Sequence, residues 1–480
     1  MERREFLGVA ALSAISPKTI AFPQTDDRFE ELAKLVESKM AEYHVPGVSF
    51  GLMKNGKTTV RSFGVTSVED PQPVTPDTVF PIASISKTFC ATAMMRLIDQ
   101  GKVELKAPVR KYLPDFKVQD EAASREVSVL HLLTHTPGWE GQVSAQDRGV
   151  DTMNYYAEGM RDMPQLSAPG TVWSYNNAGF NLAGRVIEVV TGKVIHDGLK
   201  DLIFTPLGLK RATSRTGEAM SYRFAQAHRQ KPQSTETQVI HNFELPADIT
   251  AGGIATTVTD LMTYAAFHLG DGTAQGQPVL KRASLDLMKT AQIKKNSTGD
   301  EEMGVGWHIR HLNGVLTFAQ GGTLGGHTLL IQLVPSRNLA FVIQTNHQDG
   351  WRLIQDVERA TLKSYESLAL APNQATGGNR GVSESMTLHA TPLAKQPDLA
   401  EYVGTYARPP LPNKVEVRIE GGKLVAGSAT AGSTLVFYGP DMAYVTAGPG
   451  YVGTPYEFIR TPAGKVGWIR NNGRVARKEA

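Results

Sequence analysis

The chain has 480 residues, 41% hydrophobic and 20% charged, which is ordinary globular material and enough for two or more domains. A net charge of +3 without a long basic run argues against nucleic acid or an acidic membrane surface as a partner. One cysteine, Cys90, excludes an internal disulfide, and no stretch approaches the roughly 20 apolar residues that a membrane span needs.

At the N-terminus, Arg3-Arg4-Glu5-Phe6-Leu7 and the apolar run 9–15 are similar to a twin-arginine export signal over residues 1–22. Thr19-Ile20-Ala21 is the best small-x-small cleavage candidate. Export predicts a periplasmic or extracellular protein. Further on, 48–54 and 58–64 read as strands joined at Asn55-Gly56.

Phe80-Pro81-Ile82-Ala83-Ser84-Ile85-Ser86-Lys87 reads as a loop entering a helix. Residues three apart share a helix face, about 5–6 Å between Cβ atoms, so Lys87 can reach the Ser84 oxygen. A serine hydroxyl needs such a base to become a nucleophile. The helix end also favours developing negative charge. Phe89, Ala93 and Leu97 form an apolar stripe extended by Cys90, Met94 and Ile98, so the helix is buried and ends near Gly101. A lysine there must be paired or shifted in pKa. Cys90 reads as a buried structural thiol.

His131 and His135 lie one turn apart in His131-Leu132-Leu133-Thr134-His135-Thr136-Pro137-Gly138, but no metal motif surrounds them, so a structural role near the site is expected. In Trp173-Ser174-Tyr175-Asn176-Asn177, before the helical run 180–190, Tyr175 and Asn177 point the same way if the segment is extended. A tyrosine beside an ammonium can accept a proton, and asparagine offers a substrate amide both a donor and an acceptor. Asp260 is expected to cap or begin a helix. His308 and His311, just before Asn313-Gly314, are expected to be exposed. Strand-like runs 315–319, 328–334 and 339–345 follow. Between the first two lies Gln320-Gly321-Gly322-Thr323-Leu324-Gly325-Gly326-His327, whose glycines would let a ligand or another backbone approach and offer an oxyanion-hole N–H.

Residues 371–385 are a polar, glycine-containing linker. Beyond it, 414–419, 423–426, 434–438, 442–446, 456–460 and 465–470 are short strands, predicting a small antiparallel β-barrel over 386–480.

In this order and spacing, the Ser84–Lys87, Tyr175–Asn177 and Gln320–Gly322 motifs resemble the serine β-lactamase and penicillin-binding protein superfamily, in its class C β-lactamase-, esterase- and D-aminopeptidase-like branch. Val45-Pro46-Gly47-Val48, the 131–138 run, Ala251-Gly252-Gly253-Ile254 and Gly304-Val305-Gly306-Trp307 agree with that likeness, which covers about 28–365. It implies an α+β fold over 28–367: an antiparallel sheet flanked by helices, plus an all-helical subdomain. Leu399-Ala400-Glu401-Tyr402-Val403-Gly404-Thr405-Tyr406 resembles the start of a lipocalin-like domain, implying a lid, an oligomerisation module or a stability appendage.

The resemblance implies that Ser84 forms an acyl-enzyme and that Lys87 and Tyr175 shuttle its proton, with either as the acylation base. It implies that Asn177 holds the substrate amide and supports Lys87. It implies that Gln320, Gly321, Gly322 and Thr323 line the substrate, with the N–H groups of Ser84 and Thr323 as the oxyanion hole. No metal or cofactor is implied; a small-molecule or peptide substrate is, cell-wall derived among the options, and a homo-oligomer stays open. The family places lysine or histidine first in the third motif. Here Gln320 stands there, or Ala319 in a register shifted by one, and neither is a cation. A charge-assisted hydrogen bond contributes roughly 1.5–3 kcal/mol against about 1 for a neutral one. Its loss disfavours carboxylate-bearing β-lactams and D-Ala-D-Ala ends, unless His327 or a distant arginine supplies the charge. The expectation is therefore a serine hydrolase cleaving ester or amide/peptide bonds. A β-lactamase or DD-carboxypeptidase, or a penicillin-binding-like recognition protein with little turnover, is the alternative.

Overall fold

The computed structural model describes residues 26–142, 145–241, 244–297, 301–370, 391–428, 430–449 and 452–479. The export-signal run and the 371–385 linker lie outside the described residues.

One large antiparallel sheet organises the first part. Its strands are β1 (Gly47–Lys54), β2 (Lys57–Gly64), β3 (Ile293–Lys294), β4 (Glu301–Met303), β5 (His308–Leu312), β6 (Val315–Leu324), β7 (His327–Val334) and β8 (Leu339–Thr345). They lie in the order β2-β1-β8-β7-β6-β5-β4-β3. The expected strands are there, but β6 runs on through Leu324, so the Gln-Gly-Gly motif sits inside a strand.

The helices that frame the sheet are α1 (Asp27–Tyr43), α2 (Ser86–Asp99), α3 (Asn177–Thr191), α4 (Val258–Leu269) and α5 (Trp351–Glu366). In α1, Phe29, Leu32, Ala33 and Val36 recur at helical spacing and are buried, and the Asp26 side chain caps the first turn. Helices α1 and α5 cover one face of the sheet, where Phe29 stacks on Phe50 with ring centroids 5.4 Å apart. The other face packs on α2 and α4: a Cβ at Gly51 would lie 2.7 Å from Met262 of α4. Alternation along β1 thus divides two cores, with Phe50 and Leu52 in one and Met53 in the other. Among the described residues, the regular structure between β2 and β3 is mainly helical, with three short two-stranded pairings. Asp260 lies in the first turn of α4; Thr257 is its cap, and the Asp260 carboxylate accepts from the Lys210 and Arg211 N–H groups.

The C-terminal strands close into an eight-stranded barrel: β9 (Gly404–Ala407), β10 (Lys414–Glu420), β11 (Lys423–Gly427), β12 (Gly432–Gly439), β13 (Met442–Ala447), β14 (Pro455–Arg460), β15 (Val466–Asn471) and β16 (Arg474–Lys478). The sequence pattern anticipated six of these. The first and last, which pair with each other to close the barrel, are only four and five residues long.

Because Phe50 faces α1 and not the α2 side, Phe50→Ala is expected to lower unfolding stability by about 3–5 kcal/mol. Denaturant unfolding followed by circular dichroism checks this; a loss under 1 kcal/mol would mean the α1–α5 layer is not a close-packed core.

Candidate active site

Ser84 sits in a single 3-10 turn, Ala83–Ile85, that leads directly into α2. Ala83, just before it, has φ +47°, a left-handed conformation that costs a non-glycine residue roughly 1–3 kcal/mol. The turn therefore presents Ser84 on a strained corner, and Ser84 is half-buried. Its N–H belongs to the first turn, whose amides have no partner within the helix. The Ala251–Ile254 stretch clamps this corner. Ile82 N–H donates to the Ile254 carbonyl at 2.8 Å, and Ile254 N–H donates to Ser86 Oγ at 3.1 Å.

Lys87, the second residue of α2, is fully buried. Its Nζ donates to Ser84 Oγ at 3.1 Å and to the Ala251 carbonyl at 2.6 Å. It also lies 4.9 Å from the Tyr175 ring centroid and 5.8 Å from that of Phe180. Burial pushes the amine below its ordinary pKa, with the neighbouring Tyr175 hydroxyl working against that shift. A lowered amine pKa makes Lys87 a proton acceptor closer to neutrality. Cys90, on the same helix, is buried and its thiol is pushed up by desolvation.

The Tyr175 hydroxyl donates to Ser84 Oγ at 2.7 Å, so the serine oxygen lies between the tyrosine and the lysine. Helix α3 begins immediately after, capped by Asn176, whose side chain accepts from Gly179 N–H and donates to the Trp139 carbonyl. Asn177 is the first residue of that helix and makes no hydrogen bond to Lys87. The Ala251 carbonyl fills the expected supporting role. Asn177 Oδ1 is buried with no hydrogen-bond partner among the described residues, which leaves an acceptor for a ligand. His135 Nδ1 accepts from Asn176 N–H at 2.8 Å while its ring stacks on Tyr175, the structural role expected of it. His131 caps the short helix that carries it.

His308 corrects the expectation of exposure: it is partly buried, 6.4 Å from Tyr175 between ring centroids and near-parallel to it. Desolvation holds it well below the ordinary histidine pKa, so it is neutral. His311 is exposed, as expected, beside Glu302.

On β6 the pairing with β5 stops at Ala319 opposite His308, while pairing with β7 continues to Leu324. Gln320–Leu324 therefore offer one edge without a ladder partner. A Cβ at Gly322 would lie 2.5 Å from the Ile82 carbonyl oxygen and 3.1 Å from Ala83 Cβ. Only glycine lets this strand pack so closely on the serine corner. By alternation, Gln320 shares that face. Ala319 belongs to the α1–α5 core, and Thr323 Oγ1 accepts from Trp351 Nε1 of α5 at 2.7 Å. The residue of this motif on the Ser84-facing side of β6 is thus Gln320, buried and uncharged. His327 does not replace the missing cation: it is buried, hydrogen-bonded to the Ala225 carbonyl, and pushed down to about 4 by desolvation.

Two features escaped the sequence reading. Ala251 acts through its backbone oxygen and has no side-chain signal. Arg474 comes from the barrel: its Nη1 donates to the Tyr175 carbonyl at 2.9 Å and to Glu140 Oε1 at 3.3 Å. The only local hint was Asn472-Gly473, a turn-forming pair.

Replacing a buried amine by a thioether of similar length removes its desolvation penalty. The folded-state pKa of Lys87 lies below its ordinary 10.5. Between those two values the unfolded chain holds a proton that the folded chain lacks, so stability rises with pH there. Lys87→Met is therefore expected to raise the thermal midpoint more at pH 7 than near pH 10. A gain that is equal at both would deny the shift.

The family description "Beta-lactamase" matches residues 32–363. "Penicillin-binding protein 4" of Amycolatopsis lactamdurans is 29% identical over 374 residues, covering 76% of this chain and 94% of that protein. Among solved structures, SurE aligns with a TM-score of 0.77 at 24% identity, covering 94% of this chain and 99% of its own. The octameric penicillin-binding protein homologue from Pyrococcus abyssi aligns at 0.64 and 24%, also over 94% of this chain and 100% of its own. The likeness in fold thus extends beyond the sheet and into the barrel. With its family description matching more than half its length, the chain belongs to the beta-lactamase family, whose members are serine hydrolases in type.

Proposed function

We propose that the protein is a serine hydrolase that forms an acyl-enzyme on Ser84 and cleaves ester or amide/peptide bonds. The observation that carries this reading is the placement of Ser84 Oγ within hydrogen-bond reach of both Lys87 Nζ, at 3.1 Å, and the Tyr175 hydroxyl, at 2.7 Å. Ser84 Oγ attacks the acyl carbon, and its proton passes to the Lys87–Tyr175 pair. The N–H groups of Ser84 and Thr323 hold the developing oxyanion. The pair then returns the proton to the leaving group, and water releases the acyl chain. Asn177, whose Oδ1 has no hydrogen-bond partner among the described residues, takes the substrate amide. The N-terminal run, similar to a twin-arginine signal, supports export and a substrate in the cell envelope.

Gln320 decides the substrate preference. On the serine face of β6 it is neutral and buried, where the family resemblance expects a cation. Substrates without a carboxylate at that point lose nothing there, whereas a cephalosporin or penicillin loses a charge-assisted bond. Initial rates on a chromogenic short-chain ester and a chromogenic cephalosporin test this. The expected result is ester turnover that vanishes in Ser84→Ala, with little cephalosporin turnover. Gln320→Lys is expected to raise cephalosporin kcat/KM by about tenfold, the equivalent of roughly 1.4 kcal/mol. Fast cephalosporin turnover by the unaltered chain would make it a β-lactamase instead.

A further inference from the structure

The barrel touches the candidate site at its most sensitive point. Both backbone polar groups of Tyr175 bond to barrel residues. Tyr175 N–H donates to the Gly473 carbonyl at 2.8 Å, and the Tyr175 carbonyl accepts from Arg474 Nη1 at 2.9 Å. The neighbours of Tyr175 are held the same way. Val475 N–H donates to Ser174 Oγ at 3.1 Å, and Arg470 Nη2 donates to the Trp173 carbonyl at 2.9 Å. The Asn472-Gly473 turn between β15 and β16 makes this possible. Asn472 has φ +48° and Gly473 φ +73°, left-handed conformations that turn the chain against the Trp173 ring.

Arg474 is the anchor. It is 4% exposed, its guanidinium lies 5.3 Å from the Tyr175 ring centroid, and Nη1 also bonds Glu140. Glu140 is itself buried and has a second barrel arginine, Arg408, at 3.9 Å. A carboxylate of the hydrolase part thus fixes the arginine, which in turn fixes the tyrosine backbone. The Tyr175 hydroxyl then stands 2.7 Å from Ser84 Oγ.

We propose that the barrel is a working part of the catalytic centre, and that Arg474 is a positioning residue that holds Tyr175 in place for proton transfer with Ser84. This rests on the reading of Ser84 as nucleophile given under Proposed function. It makes the barrel neither a distant lid nor a passive appendage. The turn and Arg474 supply, from a second domain, the partners of the Tyr175 backbone itself, while His135 holds its ring and the residue after it.

The test uses the full chain and a fluorophosphonate, which needs no knowledge of the natural substrate. Ser84 Oγ bonds phosphorus, fluoride leaves, and the hydroxyl proton passes to the Lys87–Tyr175 pair. Intact-mass kinetics give the inactivation rate constant and the apparent binding constant separately. A small misplacement of a proton-transfer group lowers the rate step and not binding, so Arg474→Ala is expected to slow inactivation about 10- to 100-fold. The binding constant should stay within about threefold. Trp468→Phe, which removes the barrel bond from Trp468 Nε1 to the Leu166 carbonyl and part of the ring but leaves the Tyr175 contacts in place, should stay within about twofold of the parent. Thermal melting monitors the fold, and Arg474→Met, which keeps the stem volume, takes the place of Arg474→Ala if the latter does not fold.

An Arg474 variant that labels as fast as the parent overturns the proposal. So does a weakened binding constant with an unchanged rate constant, which would make Arg474 a ligand contact, or an equal loss in Trp468→Phe, which would make the effect a general loosening of the interface. A parent chain that is not labelled at Ser84 overturns the nucleophile reading first, and the role of Arg474 with it.

Discussion

Taking the Lys87 amine out of water is the constraint on which the rest of the structure depends. A fully buried lysine is unfavourable when charged, so its surroundings must accept its hydrogens while leaving it basic. The structure meets this with a backbone carbonyl from Ala251, the Ser84 oxygen and an aromatic enclosure of Tyr175 and Phe180. No carboxylate bonds the amine among the described residues. A direct carboxylate partner would favour the ammonium form. A carbonyl and a hydroxyl hold the amine while favouring that form less.

The remaining geometry follows from bringing three separate chain segments to one oxygen. The Ala83 corner lifts Ser84 off the start of α2, and Gly322 lets β6 approach that corner without a side chain between them. Strand β6 overruns β5, and this exposes a backbone edge where an oxyanion would need donors. The Tyr175 segment comes from the helical half and is pinned by His135 on one side and the barrel turn on the other. Strain at Ala83 is tolerable because Ile82, Ser86 and Lys87 are all tied to the Ala251–Ile254 stretch.

What was legible in the sequence was local. The Ser84–Lys87 pair could be read because three residues on a helix fix a distance, and the apolar stripe said that the helix was buried. Five strands of the main sheet could be read because hydrophobic runs bounded by turn residues fix them, whereas β3, β4 and β5, two to five residues long, gave no such run. The triplet register could not be settled from sequence, since glycines carry no pattern; in the structure Ala319 faces the α1–α5 core and Gly322 faces Ile82, so by alternation Gln320 lies on the Ile82 side. The burial of His308 was missed because the nearby Asn313-Gly314 turn suggested an exposed end, whereas β5 lies beside Trp173 and Tyr175. The partner of Tyr175 was beyond sequence reasoning: Arg474 lies 299 residues away in a different domain. Lys87 was expected to lean on Asn177 and leans on a backbone carbonyl, which has no residue signature at all.

The most direct test of the central claim is rapid-quench mass spectrometry of the protein during turnover of a short-chain ester, with the adduct mapped by proteolysis. The account predicts a single acyl group on the peptide carrying Ser84, which accumulates in the parent and is absent in Ser84→Ala. An adduct on another residue, or ester turnover that survives Ser84→Ala, would contradict it.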